Sequence, residues 1–156
     1  MSNLFKKAAL FTDIHFGLKS NSTLHNEDCL NFIKWATAKA KEEGCETAMF
    51  LGDWHNNRAS INIVTLNYSL RALEHLNGNF SDVYFIPGNH DFITNLERLD
   101  SLTPIITSLN NPEIVYYKDR GIYEDENIAV GSLRPLARNL FLKPFGGSIG
   151  IHTWLD

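Results

Sequence analysis

At 156 residues the chain is one domain's worth of polypeptide, long enough to bury a core. Hydrophobic content of 44% and charged content of 21% are ordinary for a soluble globular protein, and no apolar run nears the roughly 20 residues of a membrane span. A net charge of −4 argues against a generally basic nucleic-acid-binding module, but not against a phosphate substrate, because bound cations would reverse the local sign.

The start, Met1-Ser2-Asn3-Leu4-Phe5-Lys6-Lys7, leads into only a short apolar run, so no signal peptide is expected. Residues 7–13 (K-A-A-L-F-T-D) read as a buried strand that ends at Asp13-Ile14-His15. A polar loop runs to Thr23. From Leu24 the period becomes helical, with Cys29, Ile33, Ala36 and Ala40 on one stripe and Gly44 as the C-terminal stop. Cys29 and Cys45 lack C-x-x-C spacing and read as reduced thiols, Cys29 in the core. Thr47-Ala48-Met49-Phe50-Leu51 is a second apolar strand, running into Gly52-Asp53 and the polar loop Trp54-His55-Asn56-Asn57-Arg58-Ala59. Ser60 is the expected cap of the next helix, carried by Leu66, Leu70, Leu73 and Leu76 and ending near Gly78. Val83-Tyr84-Phe85-Ile86 is the third strand; it breaks into Pro87-Gly88-Asn89-His90-Asp91.

Alternation of strand and helix with apolar strands predicts a parallel sheet covered by helices. Sites in such sheets form at the carboxyl ends of strands, where all three polar clusters fall. Beyond Asp91, residues 92–108 are expected as helix or irregular chain, interrupted by Pro104. Residues 114–117 and 128–130 read as short strands separated by the acidic turn Glu124-Asp125-Glu126. Residues 134–147 read as loop, and residues 148–153 as a last strand.

Asp13 and His15 stand two apart, so a strand end can turn both toward one cation. Asp-x-His alone, or Gly-Asp alone, is common turn chemistry. Their order along three consecutive strand ends carries far more: Asp-x-His, then Gly-Asp, then Gly-Asn-His-Asp. That set, within residues 7–91, resembles the calcineurin-like metallophosphoesterase superfamily. The resemblance implies an α/β fold, layered in the metallophosphoesterase manner, with a central mostly parallel sheet flanked by helices, in a single domain over residues 1–156.

It also implies roles for the motif residues. Asp13 and His15 would bind one metal, Asp53 would bridge two, and Asn89 would bind the second. His90 would contact the phosphate or protonate the leaving group, with Asp91 fixing its orientation. The reaction implied is phosphodiester hydrolysis by a hydroxide bridging two divalent ions, a geometry that clamps a phosphoryl group. A mixed nitrogen and oxygen donor set suits Mn, with Fe and Zn as alternatives, better than Ca.

Gly52-Asp53-Trp54-His55-Asn56-Asn57-Arg58 and Leu24-His25-Asn26-Glu27-Asp28 look like the SbcD-like nucleases, among them the recombination endonuclease subunits of tailed phages. This second resemblance implies DNA as substrate and a long coiled-coil ATPase as partner, with a homodimer as a further expectation. It implies a cytoplasmic protein, in the host cytoplasm if phage-encoded, with no membrane association. His55 and Arg58 become expected substrate contacts, Arg58 as a clamp on a backbone phosphate.

The family pattern is not complete. No Gly-His dipeptide follows Asn89, so the expected Gly-His-x-His motif is missing and His152 is the one remaining candidate ligand. A C-terminally incomplete fold is therefore expected, with residues 134–156 unassigned. Two other readings stay open: an incomplete, weakly active module with a binding or regulatory role, and a phosphoesterase acting on nucleotides or phosphoproteins. Blander expectations cover the rest. His25 starts a helix, His75 sits on an exposed helix face, Trp35 packs on the sheet, and Trp54 walls the site or stacks on a base. Arg134, Arg138 and Lys143 hint at a phosphate-facing loop.

Overall fold

The computed structural model describes residues 6–86, 88–94, 99–102, 104–106, 114–116, 121–124, 128–132 and 141–144. Strands β1 (Ala8–Phe11), β2 (Thr47–Phe50), β3 (Asp82–Phe85) and β6 (Ile114–Tyr116) pair in that order, all parallel. Between them run a single turn α1 (Leu18–Asn21) and the helices α2 (Thr23–Glu42) and α3 (Ile63–Asn77). The alternating strand–helix pattern thus yields the expected parallel sheet.

The register explains how the core is built. Ala9, Ala48 and Val83 are Cα partners across the sheet, and so are Phe11, Phe50 and Phe85. These two rows share one face, because successive residues of a strand alternate. The same cluster takes in Cys29, Leu30, Ile33, Ala36 and Ala40 of α2, and Ala72, Leu73 and Leu76 of α3. Both helices therefore bury their apolar stripes against that face. Met49 and Tyr84, on the opposite face, are also buried.

Local chemistry sets the helix ends. Ser22 Oγ accepts from the His25 amide at the start of α2, and Gly44 follows its end at φ 76°, where a side chain would be strained. At α3 the cap is Asn62, whose Oδ1 accepts from the Val64 amide at 2.8 Å. The expected cap, Ser60, lies outside the helix. Asn at this position is as good a cap as Ser, so the two were indistinguishable by type. Trp35 corrects another expectation. It is 48% exposed on α2 and lies against Phe32, ring centroids 5.9 Å apart, instead of packing on the sheet.

After Asp91 the chain forms more strand than its pattern suggested. β4 (Phe92–Thr94) and β5 (Leu99–Asp100) pair antiparallel where helix or irregular chain was expected. β7 (Gly121–Glu124), β8 (Ile128–Ser132) and β9 (Phe141–Pro144) form an antiparallel sheet, so the supposed acidic turn begins inside a strand and part of the 134–147 loop is strand. These strands are short, and several bear Gly or Pro, which blunts the apolar signal. Residues 148–156, with the expected last strand and His152, lie outside the described residues, as do Arg134 and Arg138. Among the described residues, no helix is long and apolar enough to cross a membrane.

Candidate metal centre

The parallel ladder does not stop where β1 and β2 end. The Asp13 amide donates to the Gly52 carbonyl, His15 to Asp53, Phe16 to Trp54, and Asn56 back to Phe16, at 2.9–3.1 Å. The two loops thus travel side by side past the sheet and present their side chains together. Underneath lies an aromatic floor. Trp54 is fully buried and meets Phe50 at 4.8 Å, Phe16 at 5.1 Å and Phe85 at 5.4 Å between ring centroids. Trp54 therefore supports the site from the core and does not wall it. Each such ring pair contributes about 0.5–1.5 kcal/mol beyond its buried area, so the loops rest on a stiff base.

On this base Asp13, His15 and Asp53 each bring a ligand atom, all within 4.8 Å of one another. His15 Nε2 is 3.6 Å from Asp13 Oδ1, and Thr12 Oγ1 donates to Asp13 Oδ2 at 2.6 Å. His15 Nδ1 is buried without a hydrogen-bond partner among the described residues. The backbone adds an independent mark. Asp13 (φ 56°), His15 (φ 51°) and Asp53 (φ 59°) all adopt the left-handed conformation that L-residues usually avoid. Backbone strain of this kind costs on the order of 1–3 kcal/mol per residue and collects at working sites. Two carboxylates converging with an imidazole form a donor set that fits a hard or borderline divalent cation.

The turn after β3 closes over Asp53. The His90 amide donates to Asp53 Oδ1 at 2.9 Å. His90 Nδ1 lies 2.9 Å from the Asn56 carbonyl, which can only accept, so Nδ1 carries the proton and Nε2 is left for chemistry. The His90 and His15 rings meet edge to face at 4.8 Å. Asn89 is exposed in the same turn, and its carbonyl accepts from Arg58 Nη1 at 2.9 Å. Arg58, itself exposed, thereby bridges the loop after β2 and the turn after β3.

Asp91 has a different place from the one expected. Its fully buried carboxylate accepts from the amides of Asp53 (2.8 Å), Trp54 (3.3 Å), His55 (3.1 Å) and Gly88 (2.8 Å). The bond that orients the His90 imidazole comes from Asn56. Burial pushes the Asp91 carboxyl up to about 6, against the pull of those amide bonds. His55 is corrected too. Fully buried, it places Nε2 2.8 Å from Ser69 Oγ and Nδ1 3.0 Å from Ser101 Oγ, so its ring serves the interior and not a substrate.

A second layer went unpredicted. His25 Nε2 reaches the His15 carbonyl at 3.3 Å, and Cys29 Sγ donates to the Ile14 carbonyl at 3.2 Å. Buried Asn26 accepts from the Gly17 amide at 2.8 Å and donates to Thr65 Oγ1 at 3.0 Å. For Asn26, Thr65 and Ser69 a signal existed: each is a polar residue on the otherwise apolar stripe of its helix. The backbone carbonyl of Asn56 left no such trace.

The calcineurin-like phosphoesterase family model matches residues 6–154. Among solved structures, this chain is similar to the crystal structure of Pseudomonas putida nuclease MPE. The identity is 26% and the TM-score 0.52, over 78% of this chain and 51% of that one. The chain thus spans about half the length of that nuclease. No curated protein matches it.

Proposed function

Because the chain belongs to the calcineurin-like phosphoesterase family, we propose that it is a dinuclear metal-dependent phosphodiesterase acting on DNA, a nuclease subunit of recombination or repair. The observation that carries the reading is the convergence of Asp13, His15 and Asp53 at the carboxyl ends of β1 and β2, each on strained backbone. The similar Pseudomonas putida structure is a nuclease, which favours a phosphodiester substrate. Arg58, exposed beside the Asn89 turn, supplies a cation for a backbone phosphate.

Asp13, His15 and Asp53 would hold the first metal; Asp53 and Asn89 would hold the second, joined by His152 in this reading. Manganese is the proposed metal. Bound there, divalent ions supply a Lewis acid at the phosphoryl oxygen and an activated nucleophile at neutral pH. The protein's own part is positional and acid–base. Asp53, a carboxylate with two oxygens to offer, would serve both ions, and the His90 amide fixes which way Oδ1 faces. His90, held through Nδ1–H by Asn56, would need the doubly protonated ring to present an Nε2–H that donates to the leaving oxygen or offsets charge on the phosphate.

The test is metal stoichiometry after equilibration with Mn²⁺, read with cleavage of linear DNA, a small phosphodiester and a phosphomonoester. Two ions per chain and preference for DNA are expected. Asp53→Asn should lose both metal and activity, whereas His90→Gln should keep metal and lose most turnover. One ion or none, with no cleavage, would favour an incomplete module with a binding role. Preference for the monoester would move the substrate away from DNA.

A further inference from the structure

The buried polar groups beneath the site form one continuous line with a fixed direction. Trp54 Nε1 can only donate, and it does so to Ser69 Oγ at 2.7 Å. Ser69 Oγ is also 2.8 Å from His55 Nε2, His55 Nδ1 is 3.0 Å from Ser101 Oγ, and Ser101 Oγ donates to Asp91 Oδ1 at 3.5 Å. Asp91 receives donors on both oxygens, three amides on Oδ2 and one amide with Ser101 on Oδ1.

The two ends then set every proton between them. Ser101 spends its hydrogen on Asp91 and must accept from His55 Nδ1–H. His55 Nε2, without a proton, accepts the Ser69 hydroxyl, which in turn accepts from Trp54. This orientation satisfies each of these buried groups, as buried polar atoms require. The three consecutive amides on Asp91 belong to Asp53, Trp54 and His55, so the carboxylate grips the stretch of backbone that bears Asp53 in its left-handed conformation.

We propose that Asp91 is a positioning residue for Asp53: its carboxylate holds the Asp53–Trp54–His55 backbone in place, locked by a one-way hydrogen-bond chain that puts the His55 ring proton on Nδ1. The inference rests on the reading of Asp53 as a metal ligand, and it assigns Asp91 to metal placement and not to orienting His90.

Nitrogen-15 spectra of the histidines in the metal-free wild-type chain test the chain direction. His55 should show a protonated Nδ1 and an unprotonated, hydrogen-bonded Nε2. An Nε2–H on His55 overturns the proposal without any variant being made. Asp91→Asn then tests the grip, since its amide group would face backbone N–H groups with a donor. Mn²⁺ affinity should fall at least tenfold, while the His90 Nδ1–H signature stays as in wild type. Affinity within twofold of wild type, with the His90 signature lost, would mean that Asp91 orients His90 and would overturn the proposal.

If Asp91→Asn does not fold, Ser101→Ala takes its place. It should shift the His55 nitrogens and leave His90 alone; unshifted His55 nitrogens would break the chain. Failure of the wild-type chain to bind Mn²⁺ would sink the metal reading itself, and the His55 tautomer would still report on the chain.

Discussion

A Cβ added at Gly88 would lie 2.7 Å from Asp53 Cγ, and closer still to its Oδ1 and amide nitrogen. The glycine is required here by contact, since the turn after β3 lies directly on the residue proposed to bridge the metals. Asp53 cannot retreat, because its amide is tied to Asp91 and its Oδ1 to the His90 amide. Gly88→Ala should therefore push these two loops apart. Overpacking of this kind costs about 1–3 kcal/mol, or roughly 3–10 °C of melting temperature for a chain of this size. Mn²⁺ affinity should fall in the same variant. A thermal melt and a metal titration check both, and wild-type values for each would show that the turn can yield without disturbing Asp53.

At the scale of elements, the loop that carries Asp13 and His15 is held by α2 as well as by the loop after β2. Gly17 at φ 90° starts the left-handed turn α1, and Asn26 on α2 receives its amide while reaching across to Thr65 on α3. One buried carboxamide thus joins loop, helix and helix. Asn26→Ala would leave the Gly17 amide unmet and remove one of two partners from the Thr65 hydroxyl, which still donates to Asn21 Oδ1. An unmet buried group costs about 1–3 kcal/mol, so a loss of about 2 kcal/mol is expected in urea unfolding. Glu27→Ala, on the exposed face of the same turn, should stay within about 0.5 kcal/mol of wild type. Equal losses in the two variants would show that the Asn26 bridge adds nothing to the helix itself.

Over the whole molecule, what could be read in the sequence was whatever depends on periodicity or on the order of motifs. The strand–helix alternation up to Phe85 gave the parallel sheet, and the ordered clusters located Asp13, His15 and Asp53 at its carboxyl edge. Roles that depend on direction were not legible. Nothing in Gly-Asn-His-Asp tells that Asp91 turns inward to backbone amides, or that His55 faces two serines while Arg58, three residues on, faces solvent. Of the short strands after Asp91, β6 and β8 were legible as apolar runs, whereas β4, β5, β7 and β9 escaped because antiparallel pairing of two to four residues needs no long apolar run. The helix-facing half of the fold shares one core, and its two cysteines offer a probe of that unity. Cys29 lies on α2 at 4% exposure and Cys45 just before β2 at 5%. Burial pushes the Cys29 thiol up to about 12 and raises that of Cys45 as well. At pH 8 a thiol of that kind is about one part in ten thousand thiolate, the form that reacts. The folded chain should therefore consume no Ellman reagent over the time in which urea-unfolded chain consumes two equivalents. Slow labelling of Cys29 should keep pace with global unfolding, because α2 cannot expose it without leaving the sheet. Labelling of Cys29 faster than unfolding would instead mark α2 as opening by itself. The loop anchored by Asn26 and His25 would then open with it, and Mn²⁺ should slow that labelling by drawing the loop back onto Asp53.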